Sequence, residues 1–260
     1  NSLKIYCLSL DPKHLGIIKK INYIPVGLGE ENFTNEWLSD RTENHISLKN
    51  KFYGEYTFHY WIWKNYLDKI GDDWVGFCQY RKFWSLKKSG IQNVSFEYFN
   101  EYILKEIPKE FLKYETILGE PLFINQFRFS KFIKNNLKTM INEPSLFLNK
   151  KKRTIKFHFD MMHGSGNLDK AIELLESEER NDFTEFVNTN VSFNPQNMLI
   201  CKSKSFLTSY YNSIFPWLTR CEKIFGFRDL KGYGLQRIYA FLAERYMSYW
   251  FQEYTKFKIM

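Results

Sequence analysis

Between residues 44 and 84 the chain reads NHISLKNKFYGEYTFHYWIWKN, then a Gly-Asp-Asp break at 71–73, then WVGFCQYRKFW. Phe52, Tyr56, His59/Tyr60, Trp63 and Leu67 recur at spacings of three and four, which predicts one continuous helical stripe. Ser47 or Asn50 is placed to cap that helix. An aromatic stripe of this kind must be buried against another element. The unbroken apolar run 74–80 offers one, because a short run without polar alternation reads as a strand covered on both faces. A doubly covered strand fed by an amphipathic helix restricts the chain to a layered α/β fold.

The same alternation extends along the chain. LKIYCLSL (3–10) is predicted as the first strand, followed by a loop with Pro25, Gly27 and Gly29. Residues 96–113 read as helix and ETILGEPLFI (115–124) as a strand. The middle, 125–165, is less regular and leads into the loop FHFDMMHGSGN (157–167), where Asn167 would cap a helix running to about 178. FNPQNMLICKSKSF (193–206) reads as a strand entered through a turn, and 232–251 as the strongest late helix. No repeat, low-complexity linker or domain boundary interrupts the sequence. One α/β domain over 1–260 is expected, with a mostly parallel central sheet and a helical C-terminal part.

Composition narrows the partners. A net charge of +8 and a pI near 9.1 favour something anionic: nucleic acid, an acidic membrane surface or a sugar-nucleotide diphosphate. The lysines are scattered and no RNP, KH or helix-turn-helix signature is present, so nucleic acid is not expected. Cys7, Cys78, Cys201 and Cys221 lack paired metal spacing and read as buried free thiols of a reducing compartment. No apolar stretch approaches the roughly 18 residues of a membrane span, and no signal peptide is present. The absence of an initial methionine fits a domain of something longer.

In open α/β sheets ligands bind at the carboxyl ends of the strands. Arg81 and Lys82 stand where the strand 74–80 ends, either to hold a diphosphate or as a solvated basic turn. Lys64 and Asn65, ending the aromatic helix, are either ligand contacts or an ordinary cationic helix terminus. His158, Asp160 and His163 carry metal-ligand chemistry without a strong ligand pattern, and the same loop could supply a general base or merely brace the next helix. Gln236, Ala240 and Glu244 share a helix face flanked by Arg237 and Arg245, an arrangement that serves either packing or a sugar hydroxyl. The chain has no P-loop, GxGxxG, GxSxG or HExxH.

YIPVGLG (23–29), residues 44–65, WVGFCQYRKFW (74–84), FDMMHGSGNLD (159–169), NMLICKSKSF (197–206) and QRIYAFLAERY (236–246) together carry a resemblance. The chain resembles the glycosyltransferase family of capsular and exopolysaccharide synthesis long catalogued only as a domain of unknown function. The likeness spans nearly the whole chain and is most specific over 44–84. It implies a GT-A-like, Rossmann-like domain that transfers a sugar, galactofuranose being one type, from a UDP donor to a growing surface polysaccharide or lipid-linked glycan, by an inverting course. Two departures stand out. Gln79-Tyr80-Arg81-Lys82 replaces the family's His-Tyr-Arg-Arg, and no Asp-x-Asp occupies that place.

Residues 1–124 are therefore expected to bind the nucleotide-sugar, and 125–260 the acceptor. Donor contacts are expected from Ser9, Asn44, Ser47, Lys49, Asn50, Lys64, Gln79, Tyr80, Arg81 and Lys82, with Glu55, Thr57 and Asn65 facing or bracing the pocket. Asp160 and His163 are the candidate bases, and Asn194, Asn197, Arg237 and Glu244 the acceptor or supporting residues. No cofactor is expected, since side-chain cations can stabilise the leaving diphosphate. Manganese or magnesium stays open through Asp40, Asp160 or a histidine. A catalytically silent glycan-binding module of the same fold is the alternative. The basic run Lys150–Arg153 suits a cytoplasmic protein resting on an anionic membrane face, or a solvated loop.

Overall fold

The computed structural model describes residues 2–88, 95–126, 141–228 and 232–260, apart from the side chains of 146 and 147. Among the described residues nine short strands form, β1 (Leu3–Ser9), β2 (Ile24–Gly27), β3 (Leu38–Ser39), β4 (Trp74–Gln79), β5 (Thr116–Leu118), β6 (Leu122–Phe123), β7 (Ser192–Phe193), β8 (Leu199–Cys201) and β9 (Phe257–Ile259). Seven make one sheet in the order β3-β2-β1-β4-β8-β5-β9, and β6 pairs with β7 apart from it. Within the seven, only β8 runs against its neighbours. The mostly parallel α/β sheet read from the sequence is thus present.

Strand alternation divides the core between the two faces of the sheet. Tyr6, Leu8, Val75 and Phe77 face one apolar cluster, which also takes in the aromatic helix and the late helices Lys204–Phe225 and Ile238–Tyr254. Ile5, Cys7, Trp74 and Cys78 face the other, built with Ile18, Trp84 and Leu104. All four cysteines are free and buried, as expected.

Several elements differ from the sequence expectations. The loop around Pro25 contains β2, whose partner β3 reaches only Val26 and Gly27, so proline stands where that edge is open. The strand expected over 115–124 is split between β5 and β6, and the helix over 96–113 is confined to Phe96–Tyr102 and a single turn at Lys109–Phe111. Of the irregular middle, 127–140 lie outside the described residues. The loop 157–167 is mostly helix, Ile155–His163, because Thr154 caps it by accepting from Phe157 N and Gly164 ends it at φ +98°. Asn167 opens a helix of only six residues, Asn167–Ile172, and spends its side-chain amide on His163 O at 2.9 Å.

The aromatic helix is also not continuous. It forms Asn50–Tyr53 and Tyr56–Trp61, then a π-helical turn over Ile62–Tyr66. Gly54 separates the first two at φ +54°, ψ −130°, a region closed to side-chain-bearing residues. A Cβ there would stand 2.3 Å from Arg237 Nη2. Glycine thereby lets a guanidinium from the C-terminal part lie against the backbone between the two pieces. Gly54→Ala is expected to lower the unfolding free energy by about 1–3 kcal/mol, read as a lower urea midpoint. An unchanged midpoint would contradict this account of the break.

Candidate active site

The sheet order reverses direction at β1, which pairs with β2 on one side and β4 on the other, and the crevice at such a point is where α/β sheets take ligands. A cleft of about 380 Å3 opens there, at the carboxyl ends of β1 and β4. Ser9, Asp11, His14, Asn50, Gly54, Glu55, Gln79, Tyr80, Arg81 and Arg237 contribute to its walls.

Each wall has a local cause. Ser9 is the buried last residue of β1, and its hydroxyl holds Asp11 N at 3.1 Å and His14 Nδ1 at 2.8 Å, which folds the strand exit into a compact turn. His14 then lies flat on Tyr80, with centroids 3.4 Å apart and planes 9° from parallel. Burial lowers the His14 pKa; Asp11 opposes the shift and Arg81 adds to it. Beyond β4, Lys82 N donates to Gln79 O at 2.8 Å, and Arg81 sits inside that turn at φ +75°. A non-glycine residue in this region is uncommon and tends to mark a functional position. Arg81 is exposed, lines the cleft, and makes no ion pair among the described residues.

Glu55 lines the same cleft. It accepts from Gln79 Nε2 at 2.6 Å and Asn197 Nδ2 at 3.5 Å, and lies 3.8 Å from Arg237 Nη2. Gln79 also donates to Gln196 O at 2.9 Å, and Gln196 N in turn donates to Glu244 Oε2 at 2.5 Å. Gln196 and Asn197 both have positive φ, 64° and 53°. Two carboxylates are thus joined through one strained turn. Burial raises the Glu244 pKa, Arg245 lowers it, and Glu55 adds repulsion.

Of the expected donor residues, Ser9, Asn50, Gln79, Tyr80 and Arg81 meet at this cleft, and Arg237 joins them from the acceptor set. Lys82 is exposed beside it without lining it. Ser47 lines a neighbouring cavity of about 810 Å3 that shares Leu10, Asn50 and Arg237 with the first. Three others are engaged elsewhere. Lys49 pairs with Glu222 at 3.0 Å, Lys64 lies over Trp63 at 3.6 Å, and Asn44 exchanges hydrogen bonds with Asn65. Asn194 ties Gly119 O, Ser248 Oγ and Gln252 Nε2 together inside the core. Thr57 bonds Gly54 O and receives Asn50 Nδ2 at 3.2 Å, so it braces the wall from below. Asp11 and His14, not anticipated from sequence, were signalled only by standing just after the first strand's carboxyl end.

Asp160 and His163 lie on the helix Ile155–His163, away from the first cleft, and their polar atoms are occupied. Asp160 accepts from Lys156 Nζ at 3.0 Å and Gly166 N at 3.2 Å. His163 Nδ1 donates to Gly234 O at 2.8 Å, which turns the lone pair of Nε2 toward Arg245 Nη2 at 3.4 Å. Arg245 Nη2 also meets His158 Nδ1 at 3.2 Å. A guanidinium between the two imidazoles repels a metal cation, and among the described residues no group of three metal-ligating side chains is gathered. Asp40 is fully buried near Thr57, and burial raises its pKa while Thr57 and Arg41 oppose the shift. Arg153, expected on the basic surface run, is instead buried with Nη1 on Asn125 O at 3.1 Å.

A family model described as a domain of unknown function (DUF4422) matches residues 4–256. No curated protein matches the chain. Among solved structures the chain is similar to WbbM, a bifunctional glycosyltransferase in its apo state, at 19% identity and a TM-score of 0.56. That likeness covers 100% of this chain and 44% of the other, so the chain spans less than half of that protein's length and shares its fold.

The buried imidazoles have a consequence for acid stability. Burial lowers His59 and His158 to about 3 and, with Arg245 adding to it, His163 to about 2. An unfolded imidazole titrates near 6.5, so below that pH the unfolded chain takes up protons that the folded chain refuses. Stability therefore falls with acidification, and the raised carboxyls of Asp40 and Glu244 offset part of the loss. His163→Gln is expected to reduce the loss by up to about 1.4 kcal/mol per pH unit between pH 6 and 4, measured as urea unfolding free energy against pH. Parallel curves for the two proteins would refute the assignment.

Proposed function

Because the chain belongs to the DUF4422 family and shares the fold of a glycosyltransferase, we propose that it transfers a sugar from a nucleotide-sugar donor to a growing surface glycan. The observation that carries this is the cleft at the carboxyl ends of β1 and β4, where a turn presents Arg81, which makes no ion pair among the described residues. A nucleoside diphosphate fits that chemistry. A guanidinium offers a forked pair of donors to phosphate oxygens, and its charge offsets the one that grows on the leaving diphosphate. Lys82 adds a second cation beside it. The proposed donor is UDP-linked, galactofuranose being one candidate sugar, and the proposed course is inverting. Residues 1–124 would hold the donor and 125–260 the acceptor within one domain.

Two finer points belong to the same proposal. Departure of the diphosphate relies on side-chain cations, without a resident manganese or magnesium ion. The exposed Lys150–Lys152 turn beside Leu148 would bring the protein to an anionic membrane carrying a lipid-linked acceptor. Among the described residues no helix is long and apolar enough to cross one.

Calorimetric titration with UDP and a panel of UDP-sugars tests the donor site. Arg81→Ala is expected to weaken UDP binding by about 10- to 100-fold and to abolish slow UDP release, with the melting temperature unchanged. Wild-type affinity in the variant overturns the assignment. A chain that binds UDP-sugars yet never releases UDP is the silent module. EDTA dialysis is expected to leave UDP release intact, and activity restored only by manganese would refute the metal-free course.

A further inference from the structure

A second cleft, about 730 Å3, lies on the other side of the Glu55–Gln79–Gln196–Glu244 chain. The helix Ile155–His163 forms one wall, and Tyr233, Phe241, Glu244 and Arg245 the other. Two links bind it to the donor cleft. Gln196 accepts from Gln79 on one side and donates to Glu244 on the other. Arg237, which lines the first cleft, lies over the ring of Tyr233, which lines the second, at 5.1 Å. A transferase has to bring two substrates to one wall, and these clefts share one.

The lining is aromatic and apolar with charge at its base. Tyr233 is 66% exposed and meets Phe241 edge-on at 5.6 Å, while Phe241 stacks on His163 at 3.9 Å. Met162 is half exposed on the facing wall. At the base, Glu244 takes Arg245 Nη1 at 2.7 Å and Gln196 N at 2.5 Å, which uses about two of a carboxylate's four acceptor positions. Arg245 is 1% exposed, and among the described residues its Nε has no hydrogen-bond partner. A saccharide answers both features. The C–H face of a sugar ring packs on aromatic rings, and its hydroxyls donate to a carboxylate held in a fixed orientation.

We infer that this second cleft is the acceptor subsite, in which a neutral saccharide packs against Tyr233 and Phe241 and hydrogen-bonds to Glu244. Its role as acceptor site rests on the proposed transfer; the saccharide site itself does not.

Saturation-transfer NMR on the whole chain, with lactose, maltose and cellobiose as probes and no nucleotide present, tests it. At least one disaccharide is expected to receive saturation from the wild-type protein. Tyr233→Ala removes an exposed ring and is expected to weaken that binding about fivefold or more, while calorimetric UDP affinity stays within about twofold. Met162→Trp, which fills the cleft from its exposed wall, is expected to do the same. Absence of saturation for all three sugars, or binding that survives both variants, overturns the inference and leaves the donor site standing. Disaccharide binding in a protein that fails to bind UDP upholds this subsite and removes the donor reading.

Discussion

Burying a guanidinium is costly unless its charge and its donors are met, and removing one member of such a buried set costs about 3–5 kcal/mol. Arg245 meets this demand, at every donor but Nε, with groups from three elements of the chain. It reaches Glu244 beside it, Phe241 O one turn earlier, His158 and His163 on the helix Ile155–His163, and the face of Phe193 in β7 at 4.3 Å. The late helix, the short helix after the basic run and the small β6–β7 pair are thereby held to one point. Burial, and after it the neighbouring guanidinium, keeps both imidazoles neutral, so that they serve Arg245 as acceptors. A residue type that suggests proton transfer in isolation here has a positioning task.

The candidate site depends on that anchor. Glu244 is fixed by Arg245 on one oxygen and by the Gln196 amide on the other, so the Gln196–Asn197 turn holds its positive φ angles against a rigid partner. Gln79 then reads the far side of the same turn and passes the constraint to Glu55 and Arg237. Polar groups that would each be expensive to bury alone satisfy one another in sequence. The outcome is a wall with a carboxylate on each side, and Arg81, which makes no ion pair among the described residues, lines the space at the strand ends.

Much of the architecture was legible because it rests on burial. β1 and β4 are apolar on both faces, and Arg81 is conspicuous as the first cation beyond the carboxyl end of such a strand. Elements decided by a single residue were harder. Pro25 masks β2, since proline is tolerated there only because β3 stops short. Gly54 reads as a minor lapse in a helical stripe, and the guanidinium that requires it is far away in sequence. Lys49 is paired with Glu222 and Lys64 lies over Trp63, and neither lines the cleft. Asp160 and His163 read as loop residues unless Thr154 is taken as a helix cap. No local pattern marks the encounter of two histidines with Arg245, which is a tertiary event.

The strand order also sets a timetable for folding. β5, from Thr116–Leu118, lies between β8 and β9, and β9 is residues Phe257–Ile259. During synthesis β5 therefore waits with an open edge until residues 257–259 have left the ribosome. Pairings of such sequence separation close slowly, and exposed strand edges are the places where nascent chains stick to one another. The helix that carries Glu244 and Arg245 leads directly into β9, so closing the edge of β5 and setting the wall between the two clefts fall to the same event.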